Sequence, residues 1–467
     1  MKLRKILNTF SSIIHDPSLF EYARIIPSSF TREDGKMPLR YLLTYLIFRH
    51  GKTLLQDISA IYPDLNNNDP PSKQAVLKRM RILNYDVWRQ IHKLFLEKIY
   101  KPMKKDTFKG YLLLAVDGTF ATLPKDPVLE NIFGKNGGGV VSSNPPQAKI
   151  SMIYDVLNRV VLDYRIVHHN KAELNLLFEH LEALENLLKD YKVILLADRN
   201  YGSAELFKYC EMKGFKYVIR AKSNFFKHQR GKIDKDKNDV WFDVLIDKIW
   251  IRRIIRDPIR DFIKDHPEMR IRLIRNHYEY DEKYLDQKKK MYSYHHETDA
   301  EYFTDLDEDV FSKEDIVNLY HNERWDIETG YGTMKTYIDI EQFNSHNPIT
   351  VFNEISSKII FTNLEGIIYK ASEDKKDKNH LPNNKHIIEM CRSSKFVSSF
   401  FKQSFSDRYL KKLIEECKRV KVMVRKNRHY KRWNKFRRSL NQDRHRIDGR
   451  NNPPLKLTKA GILTSNQ

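Results

Sequence analysis

The sequence predicts an α/β protein, a mixed sheet with helices packed on it, preceded by a helical region and interrupted by a β-rich insertion. Three observations carry this. Two short apolar runs, Tyr111–Val116 and Val193–Ala197, each end at an aspartate, as buried strands do when they reach the rim of a sheet. Stretches with apolar residues at helical spacing precede, separate and follow them. Residues from about 225 to 305 break this order with alternating apolar and charged positions.

Taken in order, residues 1–105 read as helical, with helical periodicity in Leu39–Ile47 and Val76–Leu83. The loop Asn66–Ser72 offers Ser72 as N-cap of the second helix, which presents Lys73, Lys78, Arg79 and Arg81. After the strand ending at Asp117-Gly118, Gln147–Tyr154 and Arg159–Val167 read as two strands joined by a turn at Asp155–Asn158. Lys171–Lys189 follows as a helix, with Leu174, Leu177, Phe178, Leu181, Leu184 and Leu188 on one face. The strand Val193–Ala197 ends at Asp198; a helix over Ser203–Lys213 and a strand over Phe215–Arg220 complete the first part of the core, 106–224. The insertion, 225–305, contains Met269–Arg275 and Lys290–Tyr294 as strand-like stretches. The core resumes over 306–372 with helices near Lys313–Tyr337 and Val351–Ala371. A polar linker, Lys375–Asn379, opens a C-terminal region, 373–467, and no internal repeat is found.

Charge narrows the function. The chain carries 83 Lys and Arg against 61 Asp and Glu, a formal +22 in 467 residues. Between Lys418 and Arg450 there are 14 Lys and Arg and two acids, with Tyr430, Trp433 and Phe436 interleaved. Clustered cations of this kind displace condensed counterions from a polyanion. Arg425–Arg438 is basic nearly all round, whereas a membrane-surface helix needs a clean apolar face, so nucleic acid is favoured. No uncharged apolar run approaches the ~18 residues of a membrane span. The basic start Met1-Lys-Leu-Arg-Lys lacks the apolar core of a secretory signal. Cys210, Cys391 and Cys417 are odd in number and far apart, which suits a reducing compartment and argues against thiolate zinc or a disulfide scaffold.

Asp117 and Asp198 share a context, since each ends an apolar strand. Side chains at the mouths of adjacent strands can converge, and paired carboxylates repel unless a cation neutralises them. Magnesium suits such a site because it binds one or two carboxylates together with phosphate oxygens. On a regular helix, Tyr320, Arg324, Glu328, Tyr331 and Lys335 fall on one stripe. Gly330 and Gly332 are poor helix residues and imply a close approach to the backbone there.

These residues resemble the bacterial cut-and-paste transposases of the insertion sequence 4 family. The matching pieces are Leu114–Thr119, Ser151–Asn158, Leu196–Gly202, Gly214–Arg220, Tyr302–Leu306 and the Arg324-Trp-x-Ile-Glu328…Lys335 signature. The resemblance implies a ribonuclease-H-like catalytic core and metal-ligand roles for Asp117, Asp198 and Glu328, which hold two magnesium ions with manganese able to substitute. It implies DNA contacts for Arg324, Lys335, Arg220 and Lys222, and for Tyr320 or His321, which share the place of the family's tyrosine. In some relatives a tryptophan stacks a flipped base just before the insertion ends. Tyr302 and Phe303 stand there, with Tyr292 and Tyr294 nearby. The implied activity is cutting and joining DNA at element ends, with terminal repeats and target DNA as partners. It further implies a homodimer on DNA and a cytoplasmic, nucleoid-associated location. A different ribonuclease-H-like nuclease and a catalytically silent, transposase-derived DNA binder stay open as alternatives.

Other features read more plainly. Asp155, Asp163, Glu323 and Asp326 are expected in turn, cap and solvent roles, and Trp325 in core packing. Gly134 and Gly137–Gly139 form a loop without the Gly-Lys-Ser/Thr ending of a nucleotide site, so no nucleotide cofactor is expected. His168 and His169 lack a second correctly spaced cluster.

Overall fold

A computed structural model describes residues 2–32, 35–65, 69–135, 144–285, 291–374, 377 and 379–423, together with three two-residue strands at 429–430, 456–457 and 463–464. Side chains are described outside 280–296 and up to 423. Most of the basic run 418–450, the Gly137–Gly139 loop and the side chains of Tyr292, Tyr294 and Tyr430 therefore lie outside the described residues.

The apolar run after Tyr111 forms the middle of the sheet. β1 (Leu112–Thr122) is fully buried over Leu112–Val116. It pairs antiparallel with β2 (Gln147–Asp155) and parallel with β4 (Val193–Ala197). β3 (Val160–His168) continues beyond β2, and β5 (Lys216–Arg220) runs parallel to β4. The resulting order, 3-2-1-4-5 with β2 antiparallel to β1, is that of a ribonuclease-H-like fold.

The insertion extends this sheet rather than forming one of its own. Within it, β6 (Asp239–Leu245) pairs with β7 (Glu268–Leu285), and β7 pairs antiparallel with β8 (Met291–Thr304). β8 in turn pairs antiparallel with β5. The expected alternation in Met269–Arg275 does not become an exposed charged face: Ile271, Arg272, Leu273 and Ile274 are all buried, Arg272 because its guanidinium donates to Asp239 and to the Phe311 carbonyl.

Helices cover the sheet. The longest, Pro348–Ser372, starts with Asn347 accepting from the Thr350 N–H and with Pro348 at its first turn, where a missing N–H costs nothing. It is buried along most of its length, and at Gly366 it meets the turn between β2 and β3 so closely that a Cβ would strike the Arg159 carbonyl. The N-terminal helices dock on it through buried polar links. Trp88 Nε1 donates to Asn353 Oδ1 at 2.8 Å, and Arg49 pairs with Glu354. Ser72 caps the helix Lys73–Arg81 by accepting from the Ala75 N–H at 3.3 Å. Residues 380–419 are also largely helical and pack back on this layer, Phe400 against Phe10 and Phe48. The three cysteines are buried free thiols. Among the described residues, no helix is long and apolar enough to cross a membrane.

Two helices depart from the sequence expectation. Lys171–Lys189 breaks at Leu184 into Glu173–Ala183 and Glu185–Leu188. Lys313–Tyr337 is not regular: Lys313–Asn318 is followed by one π turn, Leu319–Glu323, and then by Trp325–Thr336. The Arg324 N–H reaches back five residues to the Leu319 carbonyl at 3.0 Å. A π turn adds one residue to a helical turn, and such insertions occur mostly where a side chain must be re-aimed.

Candidate active site

Two parallel strands bring the aspartates together. β4 runs beside β1 with Ala197 opposite Val116, so Asp117 and Asp198 are the next residues along two neighbouring parallel chain segments. Asp117 continues β1, whereas Asp198 leaves β4 and caps a short 3₁₀ turn by accepting from the Arg199 N–H. The helix Trp325–Thr336 lies across β1: Tyr331 Oη donates to the Asp117 carbonyl at 2.7 Å, and Lys335 Nζ to the Phe120 carbonyl at 2.6 Å. Glu328, one turn before Tyr331, is held by Arg324 Nη2 at 2.7 Å.

Within the stripe, Tyr320, Arg324 and Glu328 cluster, with the Arg324 guanidinium 4.7 Å from the Tyr320 ring centre. Tyr331 and Lys335 turn instead to the β1 main chain. Tyr320 and His321 both lie in the π turn and have different surroundings. Tyr320 is buried beside Arg324, while His321 accepts or donates at 2.7 Å with the Tyr302 hydroxyl of the insertion. Arg220 ends β5, and its positive charge acts on both Tyr320 and His321. Lys222 follows it, its carbonyl accepting from Arg230 Nη2 at 2.9 Å.

Electrostatics tie the acids to one another. Burial pushes the Asp117 carboxyl up to about 7. The Gly118 N–H opposes this, the charge of Glu328 adds to it, Arg324 opposes it again, and the charge of Glu173 adds further. Burial also pushes the Tyr201 phenol well up, with the charges of Glu173, Asp117 and Asp198 acting in the same direction. The Tyr201 hydroxyl is buried and makes no hydrogen bond among the described residues. Neither Glu173 nor Tyr201 was singled out from the sequence. Tyr201 lies inside the Asp198-Arg-Asn-Tyr-Gly202 segment and could have been; Glu173, at the start of a helix 56 positions beyond Asp117, carries no local signal.

Asp117 is not at a strand end as expected but inside β1, which continues to Thr122. The donor set suits a hard divalent ion: the charges of Glu328 and Glu173 act on Asp117 beside a phenol without a partner among the described residues. In the geometry described, Glu328 faces Arg324 and Asp198 faces its own turn. Among the described residues, no group of three His, Cys, Asp or Glu side chains is drawn together as a metal cage.

A raised folded-state value has a definite sign. Asp117 contributes stability fully below its ordinary 3.8 and loses it as pH rises through about 7. In EDTA, the melting temperature of the wild type is therefore expected to fall relative to that of Asp117→Asn between pH 4 and 7. Scanning calorimetry of both proteins across that range checks this; parallel pH profiles would remove the electrostatic account of Asp117.

Several expectations are corrected. Trp325 is not core but 49% exposed, because at 100° per residue it lies on the face of its helix opposite the buried Ile327 and Met334. Among the described residues, nothing lies within 4 Å of a Cβ at Gly330 or Gly332, so no neighbour explains these glycines. Asp155 is not solvent-facing: it is buried, bonds Asn158 as a turn residue should, and also accepts from the Tyr100 hydroxyl at 2.6 Å. Burial pushes Glu323 up to about 7, again unlike a solvated acid. Asp163 pairs with His180 and Arg165. Tyr302 and Phe303 are both fully buried, so neither presents a face to a base in this conformation.

The model of the transposase DDE domain matches residues 108–364, more than half of the chain. The chain belongs to that family. Its DDE domain spans β1 through most of the long helix and includes the whole insertion. No curated protein matches the chain. Among solved structures, a piggyBac transposase synaptic complex with hairpin DNA is similar at a TM-score of 0.40 and 13% identity, over 89% of this chain and 76% of that one.

Proposed function

We propose that this protein is the transposase of an insertion sequence, of the insertion sequence 4 type, which cuts and rejoins DNA at element ends. The observation that carries the reading is the emergence of Asp117 and Asp198 side by side from β1 and β4, with Glu328 on a helix bonded to the β1 main chain. These three acids would hold two divalent ions, magnesium or manganese. When bound, the ions lower the pKa of the attacking hydroxyl and neutralise the leaving oxygen.

The chain's own residues do the rest. β1 and β4 fix two carboxylates on rigid elements, which keeps an in-line geometry. Arg324, buried with its Nε unpartnered among the described residues, offers a planar fork for a phosphate once Glu328 turns to an ion. Arg220 and Lys222 make no ion pair among the described residues and extend positive charge along the strand path. Lys335 engages β1 and Glu341 and reaches DNA only by exchanging these partners. The open space over Gly330 and Gly332 leaves room for a duplex backbone. A homodimer holds two ends at once, with residues 1–105 and the basic C-terminal region gripping DNA.

A nicking assay on a duplex carrying an element end tests the reading. Magnesium-dependent cleavage, abolished by EDTA, is expected; cleavage of RNA alone, or binding without cleavage, overturns it. The helix Lys73–Arg81 has no acid, and Lys73, Lys78 and Arg81 are exposed without ion pairs among the described residues. Lys78→Ala with Arg81→Ala is expected to weaken DNA binding independently of sequence and to reduce the slope of log K against log salt by about one per lost phosphate contact. Fluorescence anisotropy at several salt concentrations measures this.

A further inference from the structure

We infer that Glu173 is a fourth ion-binding carboxylate of this site, acting beside Asp117. The inference deepens the reading just given and rests on it.

Glu173 opens the helix Glu173–Ala183, immediately after β3. That helix is bolted to the sheet by side chains of β2 and β3. His180 is hydrogen-bonded to Ser151 Oγ at 3.0 Å and to Asp163 Oδ2 at 2.7 Å. Arg165 donates to the Glu179 carbonyl at 3.2 Å, and Lys149 to the Lys171 carbonyl at 2.8 Å. Ser151 lies opposite Gly118 in the β1–β2 register. The anchored helix therefore delivers its first residue to the strand position next to Asp117.

Gly118 makes room for it. A Cβ there would lie 3.2 Å from Glu173 Oε1 and 3.7 Å from its Cδ, so the carboxylate occupies the space a side chain would take. The Asp-Gly pair in the sequence is thereby explained: the glycine admits a second acid alongside the first. Glu173 has one cation nearby, Lys149 Nζ at 3.8 Å, which is beyond hydrogen-bond distance and already engaged with the Lys171 carbonyl. Its carboxylate accepts no hydrogen bond among the described residues. The buried Tyr201 hydroxyl, also without a partner there, lies in the combined field of Glu173, Asp117 and Asp198. A half-buried carboxylate that accepts no hydrogen bond among the described residues, at the start of an anchored helix, and a buried phenol without a partner there are what an ion and its waters would complete.

The alternative role, a helix N-terminal charge balanced by Lys149, predicts no effect on metal affinity. Manganese(II) binding to the full chain without DNA, followed by the electron paramagnetic resonance of free ion, separates the two. Glu173→Gln is expected to weaken manganese binding about tenfold or more and to slow nicking without changing DNA affinity. Glu173→Asp should restore part of the binding. Gly118→Ala, which pushes the carboxylate aside, should weaken it in the same direction. Manganese affinity unchanged in Glu173→Gln while Asp117→Asn loses it overturns this inference alone. Affinity unchanged in both variants overturns the metal-site reading with it.

Discussion

Glu328→Gln is expected to lower the single-turnover rate of strand nicking by about 10³-fold while leaving the affinity for element-end DNA unchanged. Glutamine preserves the length of the side chain and can still face Arg324, so the local packing survives. What disappears is the negative charge, and two things follow. The third acid no longer attracts a divalent ion. In addition, the repulsion that Glu328 exerts on Asp117 vanishes, which lets the Asp117 carboxyl relax downward toward its ordinary range. Nicking in magnesium, measured beside anisotropy binding of the same duplex, checks both halves. Cleavage within tenfold of the wild-type rate would remove Glu328 from the proposed mechanism.

Glu354→Ala is expected to destabilise the fold by about 3–5 kcal/mol, more than any surface change. Arg49 and Glu354 are 1% and 2% exposed and form an ion pair between an N-terminal helix and the long helix Pro348–Ser372. Arg49 also donates to the Gln342 carbonyl at 2.9 Å, approaches Asp57 at 3.5 Å, and receives a hydrogen bond at its own carbonyl from Lys358 at 2.5 Å. Burial pushes Lys358 well below its ordinary value, and the charges of Arg392 and Arg49 push it further. Removing Glu354 leaves the buried Arg49, with Arg392 nearby, facing only Asp57 and Asp339 as acids among the described residues. Breaking one partner of such a pair costs far more than replacing both with apolar groups. Arg49→Met with Glu354→Leu is accordingly expected to recover most of the loss. Urea denaturation followed by tryptophan fluorescence measures both; a loss under 1 kcal/mol for the single variant would show the network to be dispensable.

The strands of the core were legible because their signal is local. Leu112–Val116 and Val193–Ala197 are continuous apolar runs, and a run of that length between turn residues has few ways to be buried other than as an inner strand. The helices around the sheet announced themselves by period, and Ser72 by its chemistry as a cap. Less legible was the joining of the insertion to the sheet. Its alternating stretches predict strands but not partners, because β8 meets β5 across more than 80 positions of chain and pairing at that range leaves no mark on a short window. The π turn at Leu319–Glu323 was equally silent: the one extra residue in that turn leaves no mark on the spacing of apolar positions in a short window.

The sequence by itself determined which segments are strands and helices and that acids stand at the ends of Leu112–Val116 and Val193–Ala197, since apolar runs and capping side chains act within a few residues of chain. Only the tertiary structure decided which acids share a field. Glu173 reaches Gly118 because β3 returns the chain and four side chains pin its helix, and Glu328 meets Asp117 because Tyr331 bonds the β1 carbonyl. Such meetings depend on the summed geometry of strand pairing and helix docking, which no stretch of the chain encodes alone.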